Sequence, residues 1–471
     1  MLADMVMPSA RSSAYAAAPV AGATNCAASR AREDACPGAL RLHQADDGGL
    51  ARVRVPGGVL DVAQATALHA AASRLGDGDV HLTSRGNVQL RGLGADSGVE
   101  LARMLGGAGL LPSVAHERVR NIVASPLSGL DGSGHLDIRG RLTELDRLVC
   151  ESEELRELSG RFLFAVDDGR GDVAALDADV TLVAESEGCA LLRIGAGRGA
   201  SALRVASERA AAGAVAAAEV FLEAARECGV RAWRVADLPM AGGELARRTA
   251  QRLRGAARVV PVPAESGVTG DGPAPGLVTG SSGTVALCLL APLGRLTGRQ
   301  WELLVRTAER AGSGELRLTP WRGVVVPGLA PGRAPEALAA LGAAGLVVDR
   351  ASPWRGVGAC AGRPGCAKSL TDVRADAATA VAGDGAAGGP RALPVYWAGC
   401  ERRCGHPRGD RVEVVAGADG YQVSVIGGSG AVRPVPRAPR SELAAIVAAA
   451  RTGAGEAAHG PVRDNPATTS P

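Results

Sequence analysis

The chain repeats itself. Residues 48–93 align with residues 284–329 at a constant offset and without a gap, so that Pro56, Gly58, Leu60, Gln64, Leu68, Gly76, Leu82, Thr83, Val88 and Leu93 recur as Pro292, Gly294, Leu296, Gln300, Leu304, Gly312, Leu318, Thr319, Val324 and Leu329. Two copies of one pattern carry the same apolar face and must bury it in the same way, so they constrain the fold more than any local signal does. Each copy reads as a strand, a Pro/Gly turn, a helix of a dozen or more residues, a Gly-rich turn and a second strand, a β-α-β half-unit. A second match, at a slightly different offset, pairs residues 180–184 and 188–195 with residues 412–416 and 420–427. Two pseudo-symmetric halves are expected.

This repeat divides the chain. Residues 36–112 form the first half-unit and 113–258 a lobe that follows it; 284–350 and 351–453 are their second copies. Residues 201–253 carry Ala-rich helical patterns, such as 205–228. Residues 259–283, with Pro261, Pro263, Pro273 and Pro275, read as a linker. A last helix over 441–451 has Ser441 as its N-cap. The ends, 1–35 and 454–471, read as disordered.

Hydrophobic residues make up 46% of the 471 residues but aromatic ones only 2%, so the cores must be built from Val, Leu and Ala. A net charge of +3, with no basic stripe interleaved with aromatics, argues against nucleic acid as a partner. The N-terminal stretch has no apolar signal region and no run of eighteen apolar residues occurs, so neither secretion nor a membrane span is expected. A reducing, cytoplasmic setting follows.

In that setting four cysteines are notable: Cys360-x5-Cys366, in a small-residue segment with a Pro-Gly turn, and Cys400-x3-Cys404, followed by Gly-His-Pro. Two thiol pairs on loops that can wrap tightly suit a [4Fe–4S] cluster, in which each corner iron takes one thiolate. A structural zinc site usually has gaps of two to four residues, and disulfides are disfavoured in a reducing compartment. His406, two residues beyond Cys404, is a candidate catalytic residue as an iron ligand or as an orienter of the loop. Cys26, Cys36, Cys150, Cys189, Cys228 and Cys288 are scattered and read as core or loop residues.

The copies differ in their arginines. Copy one has Arg54, Arg85 and Arg120, the last followed by Asn121; at the same offset copy two has Leu290, Trp321 and Gly356, although Arg322 and Arg355 stand one residue away. A guanidinium fork binds carboxylates bidentately, so several converging on one cleft would bind a polyanionic ligand. His81, His116 and His135 also lie in copy one. The glycines at 195, 197 and 199 lack the spacing of a dinucleotide fingerprint and read as a strand-end turn.

The ordered set Arg-x-Pro-Gly-Gly, Thr-x-Arg-x-x-x-Gln, Arg-Asn, Cys-x5-Cys and Cys-x3-Cys on a duplicated frame resembles the sirohaem-dependent sulfite and nitrite reductase superfamily over residues 36–452. The resemblance implies an α+β fold: two ferredoxin-like half-domains plus two α/β lobes, one binding a cluster and one a tetrapyrrole, related by a pseudo-two-fold axis. It implies that Arg54, Arg85 and Arg120, with Asn121, bind tetrapyrrole carboxylates and that Cys360, Cys366, Cys400 and Cys404 hold the cluster. The chain departs from the reductases where two lysines bind their small anion, near Arg161 and Leu163, and in the Glu-Arg-Arg between Cys400 and Cys404.

Cys-Ala-Gly-x-Pro-Gly-Cys-Ala, Gly-Cys-x3-Cys-x-His-Pro and the opening Cys36-Pro37-Gly38 resemble instead the precorrin-3B synthase family of aerobic cobalamin biosynthesis. That resemblance implies a monooxygenase that hydroxylates precorrin-3A with molecular oxygen and closes a γ-lactone. It implies a [4Fe–4S] cluster, a mononuclear non-haem iron, and NADH or a reductase or ferredoxin as electron source. Sirohaem belongs only to the alternative, a nitrite or sulfite reductase. A tetrapyrrole-binding iron–sulfur protein without turnover is the non-catalytic alternative.

Overall fold

A computed structural model describes residues 37–195, 201–240, 242–255, 257–260, 272–280, 282–383, 392–407, 409–428, 430–435 and 442–453. The expected disordered ends and Ser441 lie outside these residues.

Local chemistry repeats with the sequence. Asp61 caps helix Val62–Leu75 by accepting from the Gln64 N–H, and the Gln64 side chain accepts from the Asp61 N–H in return. Thr297 and Gln300 do the same for helix Gly298–Arg310. Each box satisfies two N–H groups that a helix start leaves without intrahelical partners. The bulges are duplicated too, between Gly49 and Ala51 and between Val285 and Leu287.

What the repeat does not announce is an exchange. The first antiparallel sheet runs His43–Ala45, Gly48–Val53, Val88–Leu93, Val80–Leu82, and is completed by Arg295–Leu296 from the second copy. The second runs Gly276–Thr279, Val285–Leu290, Gly323–Leu329, Glu315–Leu318, and is completed by Val59–Asp61 from the first. The short strand after each Pro-Gly turn thus crosses to the partner sheet. Gly58 and Gly294, at φ near +73° and +72°, permit the crossing: a Cβ on Gly58 would lie 1.9 Å from the Leu318 carbonyl oxygen, and one on Gly294 3.1 Å from that of Leu82. Both sheets and both helices share one core, including Leu60, Leu68, Leu90, Leu296, Trp301, Leu304 and Val326.

Each half-domain is followed by a lobe with one mixed sheet. In the first lobe Ile122–Ala124, Phe164–Asp167 and Val180–Ala184 are parallel, and Cys189–Ile194, Ser201–Ala206 and Ala257–Val260 continue antiparallel. In the second, Val357–Ala359, Val395–Ala398 and Arg411–Gly417 are parallel, with Gly420–Ile426 and Val432–Pro434 antiparallel. The apolar cores are separate: Phe162, Phe164 and Phe221 cluster in the first lobe, and Trp397 with Tyr421 in the second.

The structure corrects several boundaries. The 259–283 segment is not all linker, because Ala257–Val260 and Gly276–Thr279 are edge strands at its two ends. The Ala-rich helix is Ala210–Glu227, and residues 205 and 206 belong to a strand. The hairpin after Val180–Ala184 has a three-residue loop, Ser186 to Gly188, where its counterpart turns through Ala418 and Asp419, so the equivalence of 188–195 with 420–427 slips by one residue. The register also makes Ile122 the equivalent of Val357, which places Arg355, not Gly356, at the position of Arg120.

Candidate functional site

Three of the four anion-binding candidates meet. Arg54 is 2% exposed and donates from Nε to the Arg118 carbonyl (3.1 Å), from Nη1 to Asn121 Oδ1 (3.5 Å) and from Nη2 to the Gly160 carbonyl (3.1 Å). Arg85, half-buried at the turn after Val80–Leu82, donates to the same Gly160 carbonyl at 3.3 Å. Asn121 is fully buried; its Oδ1 also accepts from Asn87 Nδ2 (2.9 Å) and its Nδ2 donates to the Phe162 carbonyl (3.0 Å). Asn87, which the sequence reading passed over, accepts from the Val55 N–H at 3.0 Å and so fixes the strand end that carries Arg54. Two guanidinium groups thus converge on the one Gly160 carbonyl.

Arg120 is used differently. Its Nε and Nη2 grip Asp146 bidentately at 2.8 and 2.7 Å, and Nη1 donates to the Leu110 carbonyl at 3.1 Å. Its partners lie on helix Arg139–Glu151 and at the end of the half-domain, away from the Gly160 carbonyl that Arg54 and Arg85 share. It therefore does not join Arg54 and Arg85. Of the histidines, His116 bridges Ser113 and the Ser152 carbonyl, and His135 is exposed.

The cysteines stand at the C-terminal ends of parallel strands, where ligand loops of α/β sheets lie. Cys360 directly follows Val357–Ala359, and its N–H donates to the Trp397 carbonyl at 3.0 Å; Cys400 follows the neighbouring strand Val395–Ala398. The Gly399 N–H points at Cys360 Sγ, 3.2 Å away. Tyr396 donates to the Cys404 carbonyl, pinning the second loop; burial pushes its phenol above the usual range and keeps that proton in place. His406 is exposed, and its Nδ1 pairs with the Arg403 carbonyl of the same loop at 2.7 Å. All eight described cysteines are free thiols. Four thiols on two paired loops, one already receiving a backbone N–H, are a donor set that fits an iron–sulfur cluster.

The first half-domain also reaches this loop. Arg91, buried and paired bidentately with Asp47 at 2.8 Å, donates from Nη2 to the Gly365 carbonyl at 2.9 Å, and the Ala367 N–H donates to Asp46. Cys366 is thus held on both sides. Arg374, on helix Val373–Ala382, donates to the Cys360 carbonyl at 3.2 Å and lies 3.4 Å from His81 Nδ1. Burial, then the guanidinium groups of Arg91, Arg295 and Arg322, hold Arg374 below the usual arginine range. Burial, with Arg374 and Arg91 near, likewise depresses His81 despite its pairing with Asp77. No local motif marks Arg374; its role is set by a helix docking against the loop.

The comparisons with known proteins agree with this frame. Residues 43–106 and 279–344 match the nitrite/sulfite reductase ferredoxin-like half domain. Over 93% of its length the chain is 28% identical to the precorrin-3B synthase of a Sinorhizobium species, covering 91% of that protein. It is 27% identical to the ferredoxin–nitrite reductase of Synechococcus elongatus, over 76% of this chain and 74% of that one. Among solved structures the Mycobacterium tuberculosis NirA protein superposes with a TM-score of 0.67 at 20% identity, over 84% and 79% of the two chains. The fold is that of the sulfite and nitrite reductases, and the expected pair of ferredoxin-like half-domains is present. No helix among the described residues is long and apolar enough to cross a membrane.

Proposed function

We propose that this chain is an oxidoreductase of the precorrin-3B synthase type, which hydroxylates precorrin-3A at the expense of molecular oxygen and closes a γ-lactone. The observation that carries the choice over nitrite or sulfite reduction lies at Arg161 and Leu163. Leu163 is 4% exposed and packed with Val123, Ala165 and Val173, and Arg161 turns its guanidinium onto the Trp233 ring at 4.1 Å. An arginine stacked on an aromatic and a leucine in a core do not supply two free cations for a small anion. The similarity to a precorrin-3B synthase over nearly the whole of both chains supports the same reading.

In this proposal Cys360, Cys366, Cys400 and Cys404 hold a [4Fe–4S] cluster, which supplies single electrons delivered by a reduced ferredoxin or an NADH-dependent reductase. Arg54 and Arg85 receive acetate or propionate carboxylates of the substrate, where each charge-assisted contact fixes orientation as well as affinity. Asn121 and Asn87 hold Arg54 in place, so its fork arrives pre-organised. His406, anchored through Nδ1, keeps Nε2 as the atom able to ligate or orient an oxygen-activating mononuclear iron.

The test is turnover of precorrin-3A by anaerobically purified protein. Hydroxylated lactone should form only when oxygen and a reductant are both added, and its new hydroxyl should carry label from isotopic oxygen gas. Sirohaem retained through purification, with nitrite or sulfite reduced and precorrin-3A untouched, would transfer the chain to the reductases.

A further inference from the structure

The two lobes repeat one strand-end arrangement with different charge around it. Strand register makes Ala124 equivalent to Ala359 and Val166 to Trp397, and therefore Ser125 equivalent to Cys360 and Asp168 to Gly399. The hydrogen bonds repeat with the register. The Ser125 N–H donates to the Val166 carbonyl at 3.1 Å, as that of Cys360 donates to Trp397 at 3.0 Å. The Asp168 N–H reaches Ser125 Oγ at 3.2 Å, as that of Gly399 reaches Cys360 Sγ at 3.2 Å. A hydroxyl occupies the place of the thiol.

Around that hydroxyl carboxylates outnumber cations, with Arg170 paired to Asp168 and Asp131. Ser125 donates to Asp172 at 2.6 Å, and Asp167 and Asp168, both fully buried, stand where the second lobe has Ala398 and Gly399. The Asp167 carboxylate accepts from the N–H groups of Gly169, Gly171 and Ala174 at 2.9, 2.8 and 2.9 Å, so its own loop is wrapped around an internal anion. Around Cys360 the charge is positive. Arg374 holds its carbonyl, Arg91 holds that of Gly365, and Arg322 Nη1 lies 3.2 Å from where a Cβ on Gly358 would stand. Arg91 is matched by Asp47. Among the described residues Arg374 pairs with no carboxylate: its recorded bonds go to the Cys360 carbonyl and His81. A half-buried guanidinium without a carboxylate partner is stabilised where an anion meets it.

Resting on the reading of the four cysteines as cluster ligands, we propose that Arg374 is the counter-charge of that cluster and the residue that sets its reduction potential. A [4Fe–4S] cluster with four thiolates carries a charge of about −2 when oxidised and gains one more negative charge with one electron and no proton. A fixed cation beside Cys360 favours the more negative state, so it raises the potential. Arg374 is a positioning residue in this sense and touches no substrate.

The experiment is a dithionite titration of the anaerobically isolated full chain, followed by the electron paramagnetic resonance of the reduced cluster, in the parent, Arg374→Gln and Arg374→Lys. Arg374→Gln should titrate at a more negative potential and Arg374→Lys close to the parent, with about four irons per chain in all three. Loss of the cluster from Arg374→Gln alone would support the same role, since Arg374→Lys keeps the charge that Arg374→Gln removes. A parent potential in Arg374→Gln at full iron content, or equal loss of iron from both variants, would overturn it. A parent that binds no iron or sulfide would instead remove the cluster reading on which the proposal stands.

Discussion

The indole N–H of Trp301 donates to the carbonyl of Ala65 at 2.8 Å, and these two residues occupy the same position in the two copies of the repeat. A residue that touches its own counterpart must lie on the pseudo-two-fold axis, so helices Val62–Leu75 and Gly298–Arg310 cross there. The symmetry is broken at that contact, because two tryptophans would collide and two alanines would leave a hole. With one of each, the exchanged strands Val59–Asp61 and Arg295–Leu296 are tied into a single core.

Trp301→Ala should therefore destabilise both half-domains together, by about 3–5 kcal/mol. Trp301→Phe keeps most of the packing and loses the hydrogen bond, at about 1 kcal/mol. Urea unfolding monitored by far-ultraviolet circular dichroism should show one shifted transition. Two separated transitions would mean that the halves fold independently.

The arginines should separate into two kinds. Arg120→Ala strands Asp146, which is 22% exposed and so partly hydrated, and should cost about 2–3 kcal/mol of stability with little direct effect on the ligand. Arg85→Ala should cost about 1 kcal/mol or less in stability but weaken precorrin-3A binding about tenfold to a hundredfold. Binding measured by fluorescence and stability by urea midpoint distinguish them. An Arg120→Ala protein of parental stability that cannot bind precorrin-3A would reverse the assignment.

Stability should fall as pH rises through about 6 on account of Asp172. Burial, with Asp167 beside it, pushes its carboxyl from the ordinary 3.8 up to about 6, so the folded chain holds this proton more tightly than the unfolded one. That contribution is complete below about pH 4 and is lost as pH passes the folded value. Asp172→Asn keeps a neutral acceptor for Ser125 and should remove a slope on the order of 2 kcal/mol between pH 4 and 7. Parallel urea curves for parent and variant across that range would show that Asp172 carries no such proton.

Cys366→Ser and Cys400→Ser should each bleach the broad visible absorption of anaerobically isolated protein and lower its content from about four irons and four sulfides per chain. Ser125→Ala, at the equivalent position of the first lobe, should leave iron and sulfide unchanged. Iron lost from Ser125→Ala but retained in both cysteine variants would place the cluster in the wrong lobe.

Much of this was legible without coordinates. The repeat implied two half-domains, and the Asp61/Gln64 and Thr297/Gln300 boxes lie where the sequence turns from strand to helix. Cys360 and Cys400 stand at strand ends because Val357 in one strand and Val395, Tyr396 and Trp397 in the other favour extended backbone, and Gly362 and Gly399 interrupt beside the thiols. These features depend on neighbours within a few positions, which is the range over which propensity and turn chemistry act.

Other features depend on register and long-range contact. One residue of slip between offsets hid the equivalence of Arg120 with Arg355 and of Ser125 with Cys360, because strand pairing and not linear spacing decides which residues are level. Arg120 looked like its neighbours Arg54 and Arg85 until Asp146, on a helix 26 residues further on, claimed its Nε and Nη2. Arg374 carries no motif at all; only the docking of its helix brings its charge to Cys360. The sequence by itself determined the repeated units and the thiols available to a metal, since both are written in residue type and spacing. The tertiary structure decided which strand crosses to which sheet and which charge faces which anion, since a side chain's electrostatic role is set by what burial places beside it.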